Sequence, residues 1–318
     1  MRTAMVTGGT GFIGTHLVER LAAEGTNVIA LDNFKRSSAE KLAETARHSG
    51  RVRLVEGDVR DYAELTAAMA GCEVVFHLAA QSNVMGAVDD PDYSITTNVL
   101  GTYNVLRAAA AVGARRLVFT SSREVYGDPK QLPVAEDHPL LAKNAYGASK
   151  VAGEAYCRSF AASHRLDIAV LRLANVYGAG DSGRVIPLWI SAARANRDLS
   201  VYGGDQVIDF LWVGTAVEAL LHAARHGVIE PTNIGSGRGT QIMDLAARII
   251  ELTGSSSRII RTPAREIEVA RFIADTSRMR ALGLEPDEDP LKHLGEILEA
   301  YPAQPARLQP GGGIFSRR

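Results

Sequence analysis

Residues 7–14 read Thr-Gly-Gly-Thr-Gly-Phe-Ile-Gly, between an apolar, strand-like run and the segment Phe12–Glu24, whose apolar residues have helical spacing. Gly8, Gly11 and Gly14 lack a Cβ, so the chain can turn tightly from a strand into a helix there. The same turn lets backbone N–H groups approach a diphosphate at the positive end of the helix. This stretch predicts a dinucleotide-binding strand, turn and helix at the start of the chain.

Short apolar runs alternate with longer segments rich in alanine and leucine through the first half of the chain. The predicted strands are Ala4–Thr7, Asn27–Leu31, Arg53–Glu56, Val74–Leu78, Arg116–Thr120 and Ile168–Leu173, and the predicted helices are Phe12–Glu24, Tyr62–Met69, Asn98–Val112 and Ala145–His164. This alternation predicts an α/β fold with a Rossmann-like, doubly wound parallel sheet. The nearly continuous apolar strands indicate that both faces of the sheet are buried.

The pattern loosens after Ala174, where glycine, proline and aspartate become frequent and the elements shorten. Three later segments retain helical spacing, namely Gly214–His226, Gln241–Leu252 and Leu291–Ala300. We predict an NAD-binding Rossmann domain over residues 1–174 and a smaller C-terminal substrate lobe over residues 175–300, interleaved with the first. Residues 301–318 are rich in proline and glycine and are predicted to form a mobile tail.

The composition excludes several classes of protein. Hydrophobic residues make up 46% of the 318 residues and charged residues 22%, so the chain can bury large cores and is not disordered as a whole. A net charge of −1 provides no electrostatic basis for binding nucleic acid or an acidic membrane. The histidines, carboxylates and two cysteines show no metal-ligand spacing, and the organised start at Thr3 leaves no cleavable leader. We expect a cytoplasmic protein without a metal, nucleic-acid or membrane partner.

Asp32 closes the second predicted strand, 18 residues after Gly14. A carboxylate at this place accepts the ribose hydroxyls of NAD and repels the 2′-phosphate of NADP. Lys35 and Arg36 leave room for NADP, but the carboxylate favours NAD. The predicted cofactor is therefore NAD, held by Gly8, Gly11, Phe12, Ile13, Gly14, Asp32 and Asn33.

Tyr146 and Lys150 lie four residues apart at the start of Ala145–His164, on one face of the predicted helix. Lys150 is the only lysine between residues 144 and 291 in a chain that otherwise uses arginine. Oxidation of a hydroxyl carbon requires a base, and a tyrosine of pKa about 10 needs a nearby positive charge to serve. Ser122, at the end of the fifth strand, is placed to hold the same substrate oxygen. These residues predict a hydride-transfer site.

These motifs together resemble an extended short-chain dehydrogenase/reductase of the nucleotide-sugar epimerase/dehydratase family. The resemblance rests on the glycine turn, Gly57-Asp58-Val59-Arg60-Asp61, His77-Leu78-Ala79-Ala80, Asn98-Val99-Leu100-Gly101-Thr102, Ser121-Ser122, Val125-Tyr126-Gly127, Tyr146 with Lys150, Asn175-Val176-Tyr177-Gly178, Asp209-Phe210 and Asn233-Ile234-Gly235-Ser236-Gly237. It extends from about Thr3 to Ala300. It implies an NAD enzyme that acts on a nucleoside-diphosphate sugar, with UDP as the expected nucleotide.

The resemblance also implies further site residues and a partner. The additional cofactor-binding residues are Asp58, Val59, Leu78, Ala79, Ala80, Asn98, Thr120, Tyr146 and Lys150, and the substrate-binding residues are Ser122, Arg123, Asn175, Arg184, Tyr202 and Arg271. One departure is Ile208, which stands where the family usually has an arginine for the nucleotide diphosphate. A homodimer is implied through a bundle of the helices Asn98–Val112 and Ala145–His164.

The residues after Ser122 bear on the reaction. The family's dehydratases resemble Thr-Asp-Glu before Val-Tyr-Gly, and this chain has Ser122-Arg123-Glu124. Glu124 matches the glutamate that removes the C5 hydrogen beside a C4 ketone, whereas Arg123 replaces the acid that protonates the leaving C6 hydroxyl. The main prediction is therefore a dehydratase with Ser122, Glu124, Tyr146 and Lys150 as catalytic residues, converting UDP-N-acetylglucosamine to a 5,6-alkene.

Three alternatives stay open at this point. A UDP-hexose 4-epimerase uses the same C4 ketone and returns it with the opposite configuration. A UDP-glucuronate decarboxylase is the third reading, in which Arg123 holds the sugar carboxylate. A non-catalytic nucleotide sensor on the same fold is disfavoured by the presence of Ser122, Tyr146 and Lys150.

Overall fold

The computed structural model describes residues 1–227 and 230–303. Its largest sheet contains the strands β1 (Thr3–Thr7), β2 (Asn27–Asp32), β3 (Val52–Glu56), β4 (Val74–His77), β5 (Arg116–Ser122), β6 (Asp167–Leu173) and β11 (Thr232–Ile234). The strand order is β11-β6-β5-β4-β1-β2-β3, and every neighbouring pair is parallel. The order reverses between β1 and β4, so a crevice opens at their carboxyl ends, where such sheets bind ligands. The predicted Rossmann-like fold is confirmed.

Helices cover both faces of this sheet. The helices of this region are α1 (Phe12–Ala23), α2 (Glu40–Ser49), α3 (Tyr62–Met69), α4 (Val84–Asp89), α5 (Pro91–Ile95), α6 (Gly101–Ala111), α7 (Ala145–Ser163) and α9 (Val213–His226). One buried cluster joins the sheet to α1, α2 and α9, and a second joins it to α3, α6 and α7. Burial on both faces accounts for the apolar character of the central strands.

The second lobe consists of short elements around a third buried cluster. Its elements are β7 (Asn175–Tyr177), α8 (Val185–Arg194), β8 (Leu199–Tyr202), β9 (Val207–Ile208), β10 (Phe210–Trp212), β12 (Thr240–Gln241), α10 (Ile242–Thr253), β13 (Ile259–Thr262) and α11 (Ser277–Ala281). Between them the chain returns to the large sheet through α9 and β11, which pairs with β6. The cleft between the sheet and these elements contains the site.

The structure corrects the sequence predictions at three places. Helix α2 is present although its segment was not predicted as helical. The predicted helix Leu291–Ala300 is a series of turns with bonds such as Leu294 N–H to Leu291 O at 3.0 Å, and only Leu298–Ala300 forms a short 3-10 helix. The predicted tail begins too early, because Tyr301 is buried and donates to Gly178 O at 2.6 Å. Residues 304–318 of that tail lie outside the described residues.

Residues 1–227 and 230–303 contain neither a candidate membrane span nor a candidate metal cluster. No helix in these ranges combines the length and the apolar composition needed to cross a membrane. No group of three or more His, Cys, Asp or Glu side chains in them is arranged to hold a metal ion.

Candidate active site

The glycine turn between β1 and α1 is closed too tightly for side chains. A Cβ on Gly14 would lie 2.1 Å from the carbonyl oxygen of Gly8, and a Cβ on Gly8 would lie 2.8 Å from the backbone nitrogen of Ala79. Gly8 also has a φ of +71°, which residues with a side chain rarely adopt. Because the turn has no side chains at these positions, its backbone N–H groups are accessible at the N-terminus of α1, which is where a diphosphate can bind. This cradle fits a dinucleotide.

Replacing Gly14 with alanine is expected to abolish retention of NAD, because the added methyl group would force the Gly8 carbonyl out of the turn. The measurement is the NAD content of the purified protein together with its affinity for added NAD by calorimetry. Gly295→Ala is the matched control, since a Cβ there meets nothing within 4 Å. Normal NAD binding by Gly14→Ala would contradict the assignment of this turn.

Asp32 lies at the carboxyl end of β2, beside the cleft. Its carboxylate accepts hydrogen bonds from Thr10 N at 3.2 Å, Phe34 N at 3.0 Å and Ser37 Oγ at 3.2 Å. These bonds hold the carboxylate at the position predicted for the ribose hydroxyls. The neighbouring Asn33 donates to Asp58 Oδ2 at 2.9 Å, which connects two predicted cofactor residues.

The predicted cofactor residues divide into lining and supporting residues. The cleft, about 780 Å³ in volume, is lined by Gly8, Gly11, Phe12, Ile13, Gly14, Asp32, Asn33, Val59, Leu78, Ala79, Ala80, Thr120, Tyr146 and Lys150. Asp58 and Asn98 are not among its lining residues. Asp58 bonds to Asn33 and Arg60, which lower its pKa to about 2 although its burial acts to raise it. The Asn98 side chain forms hydrogen bonds with the backbone N–H and the backbone carbonyl of Gln81. It thereby supports the segment that follows Ala80 in the cleft wall.

The predicted catalytic residues meet where β5 ends against the first turns of α7. Ser122 is the last residue of β5, and Lys150 Nζ lies 5.8 Å from the centre of the Tyr146 ring. Lys150 Nζ donates to Thr120 O at 2.8 Å, and burial lowers its pKa to about 8. The structure therefore brings Ser122, Tyr146 and Lys150 together on one side of the cleft.

Groups from both lobes act on Tyr146. Burial raises the pKa of the Tyr146 phenol, and the positive charge of Arg184, from the second lobe, and a hydrogen bond with Ser122 oppose that rise. The Lys150 ammonium group, 5.8 Å from the centre of the Tyr146 ring, donates to the Thr120 carbonyl at the end of β5. That Lys150 lowers the pKa of Tyr146 stays a prediction.

Glu124 is buried in the turn Arg123–Tyr126 that follows β5, and its carboxylate is held at both oxygens. Oε1 lies 2.8 Å from Arg123 Nη2, and Oε2 accepts from Asn144 Nδ2 at 2.7 Å. Asn144 also caps α7 by accepting from Gly147 N, so the clamp connects the turn to the catalytic helix. Both charged side chains line the cleft.

The substrate end of the cleft contains Asn175, Arg184 and Tyr202 as predicted. Asn175 Oδ1 is a buried atom without a hydrogen-bond partner among the described residues, so it is available to a ligand. The Arg184 guanidinium carbon lies 5.9 Å from the centre of the Phe12 ring, so Arg184 faces the glycine turn as well.

The prediction for Arg271 is not supported by its position. Its side chain is exposed, and Arg271 is not among the residues that line the cleft, because its backbone bridges to Val207 at the edge of β9. Sequence reasoning missed Arg265, which lines the cleft with its guanidinium carbon 3.8 Å from the centre of the Tyr202 ring. It also missed Asn144, whose place before a helix is a capping signal.

With this geometry in place, comparison with known proteins identifies the family. Residues 4–235 match the model of the NAD dependent epimerase/dehydratase family. The chain belongs to this family. It is therefore an NAD-dependent enzyme of nucleotide-sugar chemistry, as the glycine turn and the Tyr146–Lys150 pair predicted.

Similar proteins include both epimerases and dehydratases. The chain is 37% identical to the UDP-glucose 4-epimerase of Mycolicibacterium smegmatis over 312 residues, which are 95% of this chain and 98% of that enzyme. The solved UDP-glucose 4-epimerase of Thermotoga maritima with UDP-glucose has a TM-score of 0.89 at 30% identity, covering 94% of this chain and 98% of that one. DesIV, a dTDP-glucose 4,6-dehydratase of Streptomyces venezuelae solved with NAD, has a TM-score of 0.88 at 27% identity, covering 94% and 96%.

Proposed function

We propose that the protein is a UDP-hexose 4-epimerase. The observation that carries the proposal is the site at the end of β5: Ser122, Tyr146 and Lys150 lie together, and the neighbouring Glu124 carboxylate is held by Arg123 and Asn144. A site of this kind has the groups for reversible oxidation at C4, and the carboxylate beside them is engaged at both of its oxygens. The similarity to UDP-glucose 4-epimerases supports the same reading.

The residues of the chain have distinct tasks in such a reaction. NAD, held by the glycine turn and Asp32, would supply reversible hydride transfer at C4 of the sugar. Tyr146 accepts the proton of the C4 hydroxyl through its phenolic oxygen and later returns it, while the Ser122 hydroxyl holds the same sugar oxygen. Arg184 favours the phenolate, because its positive charge opposes the rise that burial causes in the pKa of Tyr146. Asn175 and Arg265 hold the nucleotide end of the substrate. The C4 ketone meanwhile rotates in the site, between the removal of hydride and its return.

The Glu124 clamp favours epimerisation over dehydration. Elimination requires a carboxylate that accepts a proton, and protonation of Glu124 would break its ion pair with Arg123. Arginine cannot donate a proton to the leaving C6 hydroxyl at neutral pH. The main reading of the sequence, a dehydratase that uses Glu124 as its base, is therefore replaced by its first alternative.

Dehydration is retained as the second candidate, because Glu124 lines the cleft next to the catalytic residues. Its most specific form is the UDP-N-acetylglucosamine 5,6-dehydratase of tunicamycin biosynthesis, and a role in antibiotic biosynthesis stays a prediction. UDP-glucuronate decarboxylation is the third, and a relative in Arabidopsis thaliana with 31% identity is a UDP-glucuronic acid decarboxylase.

Incubation with UDP-glucose, UDP-N-acetylglucosamine and UDP-glucuronate, one sugar per tube, tests the proposal. We expect conversion of at least one of them to its C4 epimer without a change of mass, measured by proton spectra and mass spectrometry of the product. Loss of water would establish the dehydratase, and loss of carbon dioxide the decarboxylase. No conversion of any of the three sugars would overturn the proposal.

The predicted homodimer stays a prediction. Leu100, at the end of the π-helical segment Thr96–Leu100, and Tyr156, on α7, are exposed hydrophobic residues within the two segments predicted to form the bundle. Exposed apolar surface of this kind favours association.

A further inference from the structure

The ion pair between Arg123 and Glu124 takes no part in the proton and hydride transfers of the proposed mechanism. Its members are adjacent in sequence, and their side chains are only 12% and 7% exposed. The guanidinium carbon of Arg123 also lies 5.8 Å from the centre of the Phe272 ring, so the arginine packs against the second lobe. Burying two charges costs free energy, and a pair at this depth in a cleft wall needs a reason other than stability.

The pair lies beside the catalytic hydroxyls. Glu124 N donates to Ser122 Oγ at 3.2 Å, so the turn that carries the pair begins at the residue that holds the sugar oxygen. The charges of both side chains reach Tyr146 with opposite effects: Glu124 raises the pKa of the phenol and Arg123 lowers it. Glu124 lines the cleft together with Ser122 and Tyr146, so a sugar whose C4 oxygen lies between the two hydroxyls occupies the part of the cleft that this carboxylate borders.

A free carboxylate at this place would have chemistry available to it. Oxidation at C4 makes a ketone, and the hydrogens on C3 and C5 become acidic because the resulting enolate is stabilised by the ketone oxygen. A carboxylate that takes one of these protons leaves the C–H electron pair in a carbon–carbon double bond and the charge on oxygen. The carboxylic acid exchanges this proton with solvent and then returns a solvent proton to carbon as the enolate reverts to the ketone, so hydrogen is exchanged without net oxidation or reduction.

Resting on the proposed function, we propose that Arg123 determines the outcome of the reaction by pairing with Glu124 and thereby preventing it from removing a hydrogen beside the C4 ketone. The C4 ketone then reacts in one way, by reduction back to an alcohol. Arg123 is a specificity-determining residue in this view and not a substrate ligand. Asn144 supports it by holding the second carboxylate oxygen.

The clamp works through charge and geometry together. Arg123 occupies one carboxylate oxygen and Asn144 the other, so a proton arriving from carbon competes with an existing donor at either oxygen. The guanidinium stabilises the ionised carboxylate, and that stabilisation is lost when the carboxylate is protonated. Removal of Arg123 alone leaves Glu124 buried beside the ketone with a single amide donor.

The test is the Arg123→Met variant, incubated in heavy water with the sugar that the wild type epimerises. We expect little or no deuterium at C3 or C5 of the wild-type product. In the variant product we expect deuterium at one of these carbons, incorporated at a rate at least about 10²-fold above that of the wild type. The double variant Arg123→Met with Glu124→Gln should lose this exchange. Arg2→Met is the matched control, because Arg2 forms an exposed ion pair with Glu73 and neither residue lines the cleft.

The outcomes separate this inference from the proposed function. A wild type that epimerises no UDP-sugar overturns the proposed function, and the inference with it. Epimerisation by both proteins without exchange in the variant overturns the inference alone. Exchange in the wild type at the variant's rate also overturns it, since Glu124 would then be active despite Arg123. If circular dichroism shows that Arg123→Met is unfolded, Arg123→Gln provides the same readout.

Discussion

The Tyr146→Phe variant is expected to lose kcat by roughly 10²–10⁴-fold, the usual contribution of a positioned acid–base group. The substitution removes only the phenolic oxygen, so the ring packing at the start of α7 is retained. NAD binding and the free energy of unfolding should therefore change little. The loss should appear in kcat and not in KM, because the proton leaves the C4 hydroxyl only as the bond to hydride breaks.

The measurement is the initial rate of UDP-sugar epimerisation over a range of substrate concentrations. Tyr156→Phe is the matched control, since Tyr156 is on the same helix but is 40% exposed. That variant should keep the wild-type rate. A Tyr146→Phe enzyme with normal kcat would remove Tyr146 from the mechanism and with it the proposed route through C4.

The second large effect is expected on stability, at the buried ion pair between Glu154 and Arg172. Their side chains are only 1% and 4% exposed, and Arg172 Nε and Nη2 donate to the two carboxylate oxygens at 2.9 Å and 2.7 Å. Ser121, the neighbour of Ser122, also donates to Glu154, at 2.5 Å. Glu154→Ala should cost about 3–5 kcal/mol in the free energy of unfolding, because it leaves the Arg172 charge buried without its partner.

Urea denaturation monitored by circular dichroism measures this loss. Replacing both residues, with Glu154→Leu and Arg172→Met, should recover most of it, because no unpaired charge then remains buried. Glu299→Ala is the control at a surface pair with Arg194, and little change is expected there. Equal stability of Glu154→Ala and the wild type would show that the pair carries no such penalty.

The main sheet could be predicted from the sequence because its signals are local. The glycine turn is contiguous, and the apolar runs of the first half recur with the spacing of a βαβ unit. Helix α2 was missed because its segment Glu40–Ser49 is mostly polar and only Leu42 reaches the core. Leu291–Ala300 was mispredicted because Leu291, Leu294 and Ile297 are buried three residues apart, a spacing that both an α-helix and successive turns provide.

The same distinction applies to the site. Tyr146 and Lys150 are found from the sequence because a four-residue spacing is a property of a single helix. The approach of Arg184 to Tyr146 and the stacking of Arg265 on Tyr202 join segments far apart in the chain. No local pattern encodes such a contact. The sequence therefore indicated Arg271 as a substrate-binding residue, whereas the structure places Arg265 in the lining of the cleft.

The sequence by itself determined that this is a dinucleotide-binding α/β protein with a tyrosine and a lysine placed for hydride transfer, since spacing within a turn or a helix specifies each of these features. Only the tertiary structure decided what Glu124 contacts. The sequence shows a glutamate beside an arginine and leaves open whether either faces the cleft. The fold brings Asn144, twenty residues further along the chain, to one oxygen of Glu124 and turns Arg123 onto the other. Because a carboxylate's reactivity depends on the donors around it, we expect that packing to decide between epimerisation and dehydration.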